Sequence, residues 1–129
     1  MMLKIKREIY DEMIKYCFQC IPNEACGILA GDDWVTEIYK IKNIESSPVS
    51  YFMDPVEQLK AMKDIRKKKI EMVAIFHSHP LGGFYPSQKD IELSFYDVYN
   101  VIVCLEPELV VKCFYIMDEK IKEVDIITD

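Results

Sequence analysis

Apolar residues recur at three-and-four spacing through Ile9, Met13, Ile14, Cys17, Phe18 and Ile21, as on one buried face of a helix, and Pro22 ends the segment. The first predicted element is therefore a helix. Beyond it the apolar runs shorten: EACGILAG and WVTEIYKI flank a turn with Gly31, Asp32 and Asp33, which predicts a β-hairpin. Residues 43–53, with Ser46, Ser47 and Pro48, carry loop chemistry. A second helix is expected where Asp54 can serve as N-cap, Pro55 takes the first helical position and Glu57 completes a capping box. Its expected apolar face is Val56, Leu59, Met62 and Ile65. The run MVAIF predicts a strand buried on both faces that leads straight into His77. Gly82, Gly83 and Pro86 mark a loop, Ser87 opens a third helix through about Phe95, and NVIVCL, VVKCFYI and KIKEVDII predict three closing strands. The order α-β-β-α-β-α-β-β-β has no repeat or linker. It predicts an α/β fold, a mixed sheet with helices on both faces, in one domain over residues 1–129.

Composition and charge narrow the function classes. The chain is half apolar, so it can build a core, and its formal net charge of -6 would repel a phosphate backbone. No nucleic-acid partner is expected. The cationic run Arg66, Lys67, Lys68, Lys69 closes the second predicted helix, where positive charge complements the macrodipole. The N-terminal residues lack a signal-peptide core and nowhere do eighteen apolar residues run together, so no membrane partner and a cytoplasmic location are expected. Five cysteines, an odd number, point to reduced thiols. Cys17 and Cys20 form a C-x-x-C, but within an amphipathic helix and with no second pair to complete a zinc site.

The chain has two histidines, and both fall in the tetrapeptide His77-Ser78-His79-Pro80. Residues i and i+2 of an extended segment share a face, so two imidazoles there can converge on one metal ion. Downstream, Asp90 stands one turn into the predicted third helix and could supply a third ligand. Ser87 to Asp90 also has the spacing of a capping box, which needs no metal, and local spacing leaves both roles open. Two imidazoles and one carboxylate leave a tetrahedral position for water, the arrangement of a catalytic rather than a structural zinc. Such chemistry needs a carboxylate outside the metal shell to move protons. Glu24, at the start of a strand of small and apolar residues, is a candidate, and equally an ordinary exposed acid after Pro22 and Asn23.

The pattern H-S-H-P, six residues, then S-x-x-D, in HSHPLGGFYPSQKD, together with EACGILAG upstream, resembles the JAMM (MPN+) family of zinc metallopeptidases, in particular its stand-alone prokaryotic members. The likeness extends through NIESSPVSYFMDPVEQL and the closing strands. The resemblance implies that His77, His79 and Asp90 bind Zn2+, that Glu24 is the general acid/base for the attacking water, and that Ser87 donates a hydrogen bond to the tetrahedral oxyanion. It implies a three-layer α-β-α sandwich with a mixed central sheet, of the cytidine-deaminase-like type. The deaminase H-x-E and P-C-x-x-C signatures are absent, which argues against base deamination. The implied reaction is hydrolysis of the amide bond, peptide or isopeptide, after the C-terminal glycines of a ubiquitin-like or sulfur-carrier protein, whose tail would be the partner. A homodimer is also compatible with the resemblance. Residues 81–85, Leu-Gly-Gly-Phe-Tyr, are more apolar than the stretch many relatives carry there and would shape access to the metal. The chain is too short for the insertions by which eukaryotic relatives grip ubiquitin. The alternative function is a non-catalytic MPN-type scaffold or a metal-binding protein-interaction module.

Overall fold

The computed structural model describes residues 1–92, 94 and 96–129. Its elements are β1 (Met2–Ile5), α1 (Arg7–Gln19), β2 (Cys26–Gly31), β3 (Val35–Ile41), α2 (Pro55–Lys67), β4 (Glu71–His79), α3 (Gln88–Glu92), β5 (Tyr99–Cys104), β6 (Val110–Met117) and β7 (Lys120–Thr128). All the expected elements are present. The predicted extension of the third helix to about Phe95 reaches residues 93 and 95, which lie outside the described residues.

The strand missing from the expected order is β1. It pairs in parallel with β7, from Met2↔Asp125 to Ile5↔Thr128, and touches β3 at Ile5↔Val35. Those pairings close the sheet in the order β1-β3-β2-β4-β5-β6-β7. The mixed sheet with helices on both faces stands, but it is not the flat middle layer of the expected three-layer sandwich. A twisted sheet that finds a partner for its last edge becomes a barrel and leaves fewer unpaired backbone groups.

One core gathers inward residues of all seven strands, among them Leu3, Leu29, Val35, Phe76, Val103, Cys113 and Val124, around Ile9, Met13 and Cys17 of α1. The helix face read from spacing is thus the buried one, although Phe18 in its last turn and Ile21, which lies beyond its end, are each 44% exposed. On the opposite face α2 covers Ile28, Ala30 and Ile41 with Ala61 and Ile65. The expected α2 face is corrected here: Val56 and Leu59 are exposed, and the small Ala61 lets the helix approach the sheet. Its start is capped as expected by Asp54, whose carboxylate accepts from the Val56 and Glu57 amides. Glu57 does not complete the box. Its carboxylate accepts from the Lys42 amide at 2.8 Å and ties the helix to the end of β3. On the same outer face, Ile91 of α3 packs on a third cluster of Ile102, Phe114 and Ile116.

Gly27 is where β2 needs the smallest residue. A Cβ there would overlap the Tyr39 carbonyl oxygen and the Phe76 ring, so the close packing of β3 and of the core depends on its absence.

Candidate metal centre

The site lies on the outer face, between the cluster under α2 and the one under α3. β4 continues through His79, so both histidines are in its last rungs rather than beyond its end. The β2–β4 register sets Cys26 opposite His77, and the next contact, Ser78 N–H to Ala25 O at 3.0 Å, carries the antiparallel alignment further. Continued by one residue, it sets Glu24 opposite His79. Directly opposed residues share a face of a sheet, so Glu24 falls on the side of the two imidazoles.

His77 Nε2, His79 Nε2 and Asp90 Oδ2 form a triangle with all three separations 3.1 Å. Among the described residues these three are the group of side chains able to hold a metal ion. Ligand atoms at tetrahedral corners about 2.0–2.1 Å from zinc stand about 3.3–3.4 Å apart, so the observed triangle is within a few tenths of an ångström of a zinc face. The donor chemistry fits as well. His79 Nδ1 donates to Gly83 O at 3.0 Å, which in the neutral ring leaves the Nε2 lone pair pointing at the Asp90 carboxylate. A ring nitrogen facing a carboxylate oxygen at that range calls for a cation between them, either a proton on the imidazole or a metal ion. Gly83 presents its carbonyl from a backbone with φ +82°, a conformation that favours glycine.

Asp90 serves two masters. Its Oδ2 accepts from the Ser87 amide at 2.9 Å, while Ser87 Oγ accepts from the Asp90 amide at 3.1 Å. That is the reciprocal capping box, and the same carboxylate oxygen meets both histidines. Although burial opposes ionisation, the hydrogen bonds from His77, His79 and the Ser87 amide hold the Asp90 carboxyl far below the usual carboxylate range. The two imidazoles diverge although each is 3.1 Å from that oxygen. Burial lowers the His77 pKa and prevails. Burial also acts on His79, but Asp90 and the Gly83 carbonyl outweigh it and raise its pKa.

Glu24 is 4% exposed, and its Oε1 has no hydrogen-bond partner among the described residues. Burial drives its pKa up to about 8, with Asp90 adding to the shift while His79 opposes it. A carboxylate of this kind, kept dry beside the His77–His79–Asp90 cluster, is a group poised to exchange protons near neutral pH. His77 Nδ1 is likewise buried and without a partner among the described residues, and the ring stacks on Tyr51 at 4.7 Å between centroids and 26° between planes. Tyr51 was not anticipated; one tyrosine in a Ser/Pro loop carries no signal of its own. Leu81, Phe84 and Tyr85 of the loop between His79 and Asp90 are exposed.

A family model described as prokaryotic homologs of the JAB domain matches residues 6–125. Among curated proteins the chain is 32% identical over 103 residues to a probable TtuB-protein conjugate cleaving protease of Thermus thermophilus, covering 79% of this chain and 70% of that protein. It is 43% identical over 70 residues to a desampylase of Pyrococcus furiosus, covering 54% of this chain and 50% of the relative. It is 34% identical over 95 residues to a CysO-cysteine peptidase of Mycobacterium tuberculosis, covering 71% of this chain and 65% of the relative. The chain thus spans between half and 70% of the length of these relatives. The solution structure of a protein from Desulfitobacterium hafniense superimposes with a TM-score of 0.90 at 38% identity, covering 99% of this chain and 93% of that one.

Proposed function

Because this chain belongs to the family of prokaryotic homologs of the JAB domain, we propose that it is a zinc metallopeptidase acting after the C-terminal glycines of a ubiquitin-like or sulfur-carrier protein. The observation that carries the reading is the triangle of His77, His79 and Asp90 set beside a buried carboxylate with an unpartnered oxygen. Relatives named as a probable TtuB-protein conjugate cleaving protease and as a CysO-cysteine peptidase support the substrate class. Residues 1–129 are read as one catalytic domain.

In this reading His77, His79 and Asp90 hold the ion, which when bound supplies Lewis acidity to the scissile carbonyl and lowers the pKa of a coordinated water to about 7. Glu24 takes the proton from the attacking water and returns it to the leaving amine, the two tasks of one general acid/base. Ser87 serves both its helix and the reaction with different parts of one hydroxyl. A lone pair accepts the Asp90 amide, and the O–H remains free to donate to the oxyanion. The Gly83 carbonyl keeps the His79 ring in one tautomer and orientation.

The test is a cleavage assay with metal analysis. Protein loaded with one equivalent of zinc releases a short extension, or a lysine-linked partner, from a glycine-tailed carrier protein, read by mass spectrometry. Glu24→Gln keeps the zinc and loses the release; loss of both together contradicts the role given to Glu24. Protein that takes up no zinc and cleaves nothing is a scaffold instead.

A further inference from the structure

Glu24 precedes the first residue of β2, so the sheet ladder does not hold it. Its main chain is fixed from outside the sheet. The Glu24 amide donates to Ser47 O at 2.8 Å, and its carbonyl accepts from Asn43 Nδ2 at 3.1 Å. The Asn43 side chain goes further. Its Nδ2 also donates to Ser50 O at 3.0 Å, and its Oδ1 accepts from the Glu45 and Phe52 amides, each at 3.1 Å. All four hydrogen-bonding positions of the amide are in use.

Those bonds fold residues 43–53 into a closed loop, reinforced by the Asn43↔Met53 bridge and by the Ile44 amide donating to Phe52 O at 3.0 Å. The loop carries two groups that reach the metal centre. Ser47 supplies the carbonyl that holds the Glu24 amide, and Tyr51 supplies the ring stacked on His77. One side chain therefore ties the main chain of the acid/base to the loop that packs on a ligand. We propose that Asn43 is a positioning residue for the hydrolysis: it fixes Glu24 relative to the His77–His79–Asp90 triangle by binding the Glu24 carbonyl and bracing the loop that binds the Glu24 amide. It acts through Glu24 and touches no reacting atom. The proposal rests on the metallopeptidase reading for its catalytic consequence, but not for the geometry it asserts.

Asn43→Asp separates the two functions of the amide, because it leaves an acceptor for the Glu45 and Phe52 amides and no donor for the Glu24 and Ser50 carbonyls. In zinc-loaded protein kcat is expected to fall about 100-fold, the scale of a catalytic group misplaced by an ångström, with KM changed by less than about threefold and zinc stoichiometry unchanged. A second readout is independent of turnover. Amide hydrogen exchange at Glu24 is expected to accelerate about tenfold or more, while amides in the middle of β4 and β5 keep wild-type rates. A folded variant with a wild-type exchange rate at Glu24, or with kcat within about threefold of wild type, overturns the proposal. Should the wild type itself show no turnover, the enzymatic reading fails and the exchange comparison still decides the role of Asn43. Asn43→Ala, which removes all four bonds, provides the same two readouts if Asn43→Asp does not fold.

Discussion

Glu24→Gln probes the proposed acid/base and the stability of the fold together. In the metal-free protein, burial raises the Glu24 pKa from the ordinary 4.5 to about 8. The unfolded chain has released this proton at neutral pH and the folded chain keeps it, so folding takes up a proton. The sign follows: the stability present below pH 4.5 is progressively lost as the pH rises toward 8. At 1.36 kcal/mol per unit of pKa difference, the loss is about 3 kcal/mol at pH 7 and below about 1 kcal/mol at pH 5. Glutamine has the same shape and no charge to lose. The metal-free variant is therefore more stable than metal-free wild type by about 3 kcal/mol at pH 7, and the gain shrinks toward zero in acid. The assay is urea unfolding with chelator present, for both proteins at pH 5 and pH 7. A stability difference that is the same at both pH values would refute the buried, unpartnered state of Glu24. Zinc supplies an independent arm. A divalent cation beside the carboxylate favours its ionised form, so loading the protein with zinc narrows the gap while the variant loses turnover.

Three further substitutions test the supports of the site. Gly83→Ala forces a side chain onto a backbone at φ +82° and disturbs the carbonyl that orients His79. It is expected to cost about 1 kcal/mol of stability and about 10–100-fold in zinc affinity by competition with a chromophoric chelator; unchanged affinity would show that the His79–Gly83 bond does not tune the ligand. Gly27→Ala sets a Cβ against the Tyr39 carbonyl and the Phe76 ring. Because a backbone oxygen in a sheet cannot move aside, the cost in urea unfolding should reach about 3 kcal/mol, and a cost near zero would contradict the tight β2–β3 packing. Ser78→Ala removes the hydroxyl that accepts the Ala25 amide at 2.8 Å and leaves a buried donor without a partner. A loss of about 1–3 kcal/mol is expected by the same measurement, and a neutral result would mean that another acceptor replaces Oγ.

Spacing along the chain was enough to identify the helices, the hairpin, the strand that ends in the histidines and the three closing strands. Two imidazoles two residues apart must share a side of an extended chain, and a serine three residues before an aspartate at a helix start has the geometry of a reciprocal cap. Such relations are settled within one turn or one rung, and the structure keeps them. The two roles open to Asp90 are compatible in one geometry, because one carboxylate oxygen closes the cap and also meets both histidines. Spacing could not decide the face of α2. Apolar residues line up on more than one side of that helix, and the depth at which Ala61 fits the sheet selects between them.

What only the tertiary structure decided depends on pairing between distant segments. β1 is four residues long, too short for a pattern, and matters because β7 lies alongside it and the sheet closes. From its neighbours alone Glu24 is equally a proton-transfer candidate and an ordinary exposed acid. It becomes a buried one because the β2–β4 register, marked by the Ala25–Ser78 hydrogen bond across 53 residues of sequence, brings it opposite His79. Asn43 and Tyr51 sit in a polar loop whose composition says only that it turns, and their roles exist through the carbonyl and the ring they meet. The physical reason is one of range. Side-chain parity and helix capping act over three or four residues and are written in local sequence, whereas register, closure and the burial of a charge are set by which strand edge finds which partner.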